Sequence, residues 1–189
     1  MKERLKNLYQ SGDISPRKLL DAVMKGWVTV DDVVEIVGED NATEVIRNAK
    51  VAEISAACNA VIVAGIDLEL TEGTAHFNLS IEDQSNIANL FRVVELGGTE
   101  FPYQADGGVC RIYSAAEIAQ IYIAAQTLIT TQTTYHNALK AYVQALTEAE
   151  DIAAVTYGMA LPEPYLSEMN HKLEVAQTQM DAIVAKLGG

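Results

Sequence analysis

Residues 114–146 read SAAEIAQIYIAAQTLITTQTTYHNALKAYVQAL, and their spacing decides the fold. Ile118, Ile121, Ala125, Leu128, Gln132, Tyr135, Leu139, Tyr142 and Leu146 follow one another in steps of three and four, which places them on one stripe of a helix. The middle, 127–134, is rich in threonine and β-branched side chains that disfavour a helix by propensity alone. The unbroken period outweighs that preference, so one long helix is expected over about 115–146. Ser114 followed by Glu117 supplies a capping box at its start.

The chain's last segment repeats the pattern. Leu166, Met169, Leu173, Ala176, Met180, Ile183 and Leu187 form a second heptad-like stripe on a helix expected from about residue 163. Two such stripes need apolar cover. They cover each other in a helical hairpin turning around 156–164, or they meet the same helices of neighbouring subunits. Gln132, a polar residue at a core-type position, favours the second arrangement because a buried polar group can set register.

Upstream, two hairpins are expected. Residues 66–70 alternate apolar and acidic side chains, 71–74 form a Gly-containing turn, and 75–79 alternate again, with Ile66, Leu68, Leu70, Phe77 and Leu79 turned to the core. Residues 101–104 and 109–113 make the second, across the turn Ala105-Asp106-Gly107-Gly108. Ser80 with Asp83 caps a helix between them, and a long helix over 42–64 precedes the first. The first forty residues read as three short helices: Ser15-Pro16 and Thr29 open the second and third, Gly26 and Gly38 stop them, and 39–41 form a polar break. A module this small is expected to dock on the rest of the chain or on a partner. The fold class is therefore α+β, dominated by helices: a small helical module at 1–40, a central α+β domain with two β-hairpins at 41–160, and a C-terminal amphipathic helix at 161–189.

Composition narrows the function. Of 189 residues only 6% are aromatic, and the net charge is −13. From residue 51 onward five bases stand against 17 acids. Such a body repels phosphates, so no nucleic-acid partner is expected. No apolar run reaches the roughly 18 residues of a membrane span, and no signal peptide is expected at the start. Cys58 and Cys110 are read as buried, apolar-like thiols.

Catalytic patterns are lacking. His76, His136 and His171 do not have metalloenzyme spacing. Asp67, Glu69, Glu72, Glu82 and Asp83 make an acidic neighbourhood that reads as a solvated face and not as a calcium loop. The paired glycines 97–98 and 107–108 are turn glycines, and Ser114 is explained as a cap. No catalytic residue, cofactor or metal is expected, and the chain is read as a non-enzyme.

Two stretches carry a resemblance. Leu5-Lys6-Asn7-Leu8-Tyr9 through Gly12-Asp13-Ile14-Ser15, then 22–32 and Glu35-Ile36-Val37-Gly38-Glu39, resemble the XkdX-like family of very small phage tail-region proteins, with Val37 where threonine is usual. Residues 54–65, then 77–87 and 103–108, are similar to an uncharacterised domain found in phage tail-fibre and fibre-assembly proteins; Gln84-Ser85-Asn86 and Asp106-Gly107 carry the match. These resemblances imply a structural component of a phage tail, baseplate or phage-derived contractile particle, at a fibre attachment or tip. Its partners would be other tail or tail-fibre proteins, with a homo-oligomer, preferably a trimer, located in the virion tail after synthesis in the host cytoplasm. Two other roles stay open: a tail-fibre assembly chaperone, and a receptor- or carbohydrate-binding tip protein that exposes Tyr103, Tyr113 and the 106–108 turn. The expected interface residues are Trp27, Val28 and Val34 on the N-terminal module, and Leu166, Met169, Leu173, Met180, Ile183 and Leu187 on the last stripe. Trp27 has a second reading, as the core of its own module.

Overall fold

The computed structural model describes residues 1–187, with Asp40 and Leu187 described by their backbone only. It is a helix-dominated α+β structure, 67% helical, with two small antiparallel hairpins. The order is α1 (Lys2–Gln10), α2 (Pro16–Met24), α3 (Val30–Val37), α4 (Glu39–Val63), β1 (Ile66–Leu70), β2 (Gly73–Phe77), α5 (Ile81–Glu95), β3 (Glu100–Tyr103), β4 (Arg111–Ser114), α6 (Ala115–Ala145), α7 (Ala149–Ala154) and α8 (Tyr165–Leu187). Contacts divide the chain into two compact units. One contains residues 1–57 and 136–168, and the other 58–135 and 169–189.

In the first unit α3 packs against α1, α2 and α7, so the N-terminal helices dock on later parts of the chain. Leu19, Leu20, Val33, Ile46, Leu139 and Ile152 are buried there. The Thr29 side chain accepts from the Asp32 amide while the Asp32 carboxylate accepts from the Thr29 amide, a complete capping box for α3. Ser15 stands at the N-cap of α2, but its side chain makes no capping hydrogen bond. The polar break expected at 39–41 is instead the first turn of α4. Gly38, at φ +94°, makes the whole change of direction by itself, and the acidic residues that follow favour a helix N-terminus. Arg47 Nη2 donates to the Leu146 carbonyl at 2.8 Å, a cation placed on a carbonyl just past the end of α6.

The second unit is built around its hairpins. Ile66 pairs with Phe77 and Leu70 with Gly73, so the turn is the two residues 71–72, tighter than expected, and β2 ends at Phe77. Leu79 leaves the strand and is fully buried. Gly65 makes the junction between α4 and β1 possible: its φ is +85°, and a Cβ there would overlap the Phe77 carbonyl oxygen and lie 2.8 Å from the Asn78 Cα. In the second hairpin Phe101 faces Tyr113 and Tyr103 faces Arg111. Phe77, Leu79, Ile87, Phe91, Phe101, Tyr113, Ile118 and Ile121 form one core, with the Phe91 and Tyr122 rings stacked at 4.0 Å. Ser114 and Glu117 form the expected capping box. Helix α6 runs unbroken through its threonine-rich middle.

Two expectations need correction. Cys58 is buried, its thiol directed at the Gln132 carbonyl at 3.5 Å, but Cys110 is exposed because β4 starts two residues later than expected, at Arg111. The connection after α6 contains a short helix, α7, which buries Ile152.

Candidate functional site

Helix α8 has 23 residues, and none of its described side chains is fully buried. Tyr165, Met169, Leu173, Ala176, Met180 and Ile183 are half-buried, and the rest of the described side chains are exposed. The stripe is therefore real, and its cover is partial.

In the second unit that stripe lies beside α6. Leu173, Met180 and Ile183 line a groove of about 620 Å³, with Asn170 and Gln177 along the same helix. The facing wall is Tyr122, Gln126, Thr127, Thr130 and Thr131 of α6. These α6 residues lie beside the a/d stripe and not on it, so the hydroxyl- and amide-bearing flank of α6 borders the groove with α8. Among the described residues Glu174 is the only charged side chain in the lining. Hydroxyls, amides, one phenol and a few thioether and aliphatic groups can bury surface and exchange hydrogen bonds. They offer no nucleophile paired with a base.

The remaining expected interface residues are scattered. Leu166 is exposed at the start of α8, Met169 is half-buried, and the Leu187 side chain lies outside the described residues. Trp27 is 53% exposed with the Lys25 ammonium 5.0 Å above its ring, so its module does not use it as core. Val28 is the buried neighbour, at 6% exposure, where a partner does not reach it. Val34 is half-buried and borders a shallow hollow with Val30, Asp31 and residues 148–151. The uncharged flank of α6 was missed by a reading that followed apolar spacing. Its signal was present in the sequence as a long run without Asp, Glu, Lys or Arg.

Polar clusters elsewhere are tied into the structure. Ser55 Oγ lies 2.9 Å from His136 Nε2, but the same hydroxyl donates to the Val51 carbonyl at 2.7 Å. With its proton committed there, Ser55 accepts from the imidazole, the reverse of an activated nucleophile. Burial, and then the nearby Lys140 ammonium, push the His136 pKa below its ordinary value. His76 Nδ1 lies 2.8 Å from Asp67, and that hydrogen bond raises the His76 pKa. The other acids of that neighbourhood are spread apart: Glu69 takes the Thr74 hydroxyl, Glu72 meets Arg111 at 3.4 Å, and Glu82 and Asp83 lie in the first turn of α5, which Asp83 caps. Among the described residues no group of three or more His, Cys, Asp or Glu side chains converges as a metal site would require. Glu117 is nearly buried. Burial opposes its ionisation, but the Ser114 amide and hydroxyl and the Arg111 guanidinium outweigh that and hold its pKa below the usual range.

The exposed aromatic patch that the receptor-binding alternative needs around Tyr103 and Tyr113 is not present. Tyr113 is 1% exposed, with the Arg111 guanidinium stacked 3.6 Å above its ring, and Tyr103 stacks against Phe77. Among the described residues no helix is long and apolar enough to cross a membrane.

No curated protein and no solved structure matches the chain. Residues 45–156, which run from α4 into the segment after α7 and make up more than half of the sequence, match the family described as Domain of unknown function (DUF4376), and the chain belongs to that family.

Proposed function

We propose that this protein is a non-catalytic structural component of a phage tail, baseplate or phage-derived contractile particle, working through protein–protein contacts at a fibre attachment or tip. The observation that carries the reading is the partial cover of α8: a heptad-like stripe on a 23-residue helix with no fully buried described side chain. Apolar surface kept in that state gains from a partner. The resemblance of 5–39 to small tail-region proteins and of 54–108 to a tail-fibre domain supplies the setting. The partners are other tail or tail-fibre proteins and further copies of the chain, with a homotrimer as the proposed assembly. It reaches the virion tail after synthesis in the host cytoplasm.

Mass spectrometry of purified particles tests this. The chain is expected in fixed stoichiometry with the tail proteins. Its absence from mature particles, together with its presence in assembly intermediates, would overturn the structural role in favour of a fibre-assembly chaperone.

A further inference from the structure

Charge, more than apolarity, singles out the face that α6 and α8 make together. From Ile118 to Leu139 the chain runs 22 residues without Asp, Glu, Lys or Arg, although the whole carries −13. This neutrality is not explained by burial, since every residue from 126 to 135 is half-buried or exposed. A solvated helix face ordinarily carries charges, and a face that sheds them while keeping Tyr, Leu and Met has the composition of an interface core. Across the groove α8 places Asn170, Gln177 and Gln179 beside Leu173 and Met180, with Glu174 the one charged residue of the described lining.

Neutrality also selects the partner. A strongly basic partner would find few acids to pair with here: among the described residues Glu174 is the one acid in the groove lining, and Asp181 beside it already accepts from the Gln177 amide at 2.7 Å. A second copy of this chain gains most from an uncharged face. Two bodies of −13 repel wherever their acids approach, and here they can meet over a face on which Glu174 is the one lining acid among the described residues. We propose that the α6–α8 groove face is the self-association surface of the protein, with the same face of each copy turned toward a common symmetry axis. There Leu173 and Met180 complete their burial, and the Thr130 and Thr131 hydroxyls exchange hydrogen bonds between copies. This inference rests on the assembly role proposed above and names the chain itself as the partner at that site.

The test is light scattering coupled to size-exclusion chromatography on the full chain, at low and high salt. The expected mass is a multiple of 20.5 kDa, and association tightens as salt rises, because screening relieves repulsion between acidic bodies. Thr130→Arg combined with Gln177→Arg puts cations on both walls and weakens association by about tenfold or more, with an unchanged helical circular-dichroism signal. Gln177→Arg alone, at an exposed position, serves as the milder variant, and Glu82→Arg on α5 leaves the assembly intact. A wild-type chain that stays monomeric at every concentration, or groove variants that keep the oligomeric mass, would overturn the proposal. A monomer that is nevertheless found in purified particles sinks self-association alone, whereas an oligomer absent from them sinks the structural role alone.

Discussion

Helices α6 and α8 carry the same three-and-four stripe, yet the two stripes end in different surroundings. At the start of α6, Ile118, Ile121 and Ala125 are at most 1% exposed, because the hairpins and α5 close over them. On α8 the equivalent positions Met169, Leu173 and Met180 stop at half-burial, with an open groove beside them. A periodic stripe states that one face of a helix wants cover. Whether the chain itself supplies the cover depends on what lies next to it in space, and the period carries no information about that.

The sharpest way to break this comparison is to truncate one residue in each stripe. Ile121→Ala removes a fully buried side chain from a packed core and is expected to cost about 3 kcal/mol. Leu173→Ala, on a half-covered face, should cost about 1 kcal/mol or less in the unassociated chain. Urea denaturation at a concentration too low for association measures both. Equal losses would mean that α8 is as firmly packed as α6, and the contrast would fail.

A second, smaller effect tests what closes over α6. The β1–β2 hairpin reaches its position through Gly65, whose φ of +85° and close approach to the Phe77 and Asn78 backbone leave no room for a Cβ. Gly65→Ala is expected to cost about 2 kcal/mol through backbone strain. Gly97 also has a positive φ, +93°, but open space around its Cβ position, so Gly97→Ala should cost less. If the two substitutions behave alike in thermal melts, the close approach at Gly65 does not matter.

Several of these features were legible in the sequence. The Thr29 cap and the capping boxes at Ser80 and Ser114 came from side chains that act within a few residues, and all three are formed, Thr29 with a full box to Asp32 as well. The continuity of α6 followed from its period against its propensity. Less legible was anything decided at a distance. Cys110 and Val109 alternate with the strand that follows, but the chain turns into β4 only at Arg111, leaving Val109 84% exposed. Tyr113, which the receptor-binding alternative places at the surface, is core because Phe101 across the ladder faces inward with it. Helix α7 escaped because six residues carry too little period to register. At the candidate site the stripe residues were found, while the uncharged flank of α6 was overlooked in favour of the apolar positions.

The smallest effect separates covered from open ground through two histidines. His136, on the second half of α6, is held below its ordinary pKa by burial and by Lys140, whereas His76, on the open hairpin, is held above it by the Asp67 hydrogen bond. The consequences for stability have opposite signs. The neutral His136 contributes stability that is complete above the unfolded value of about 6.5 and is lost as pH falls through its lowered folded pKa. The protonated His76 contributes stability that is complete below about 6.5 and is lost as pH rises through its raised pKa. Near pH 6.5 the two therefore offset each other, and thermal melts should change little there, with His136→Gln flattening the acid side and His76→Gln the alkaline side. Imidazole chemical shifts followed by NMR decide the matter directly. Two titrations on either side of the ordinary value uphold the distinction between an enclosed and an exposed side chain, and coincident titrations remove it.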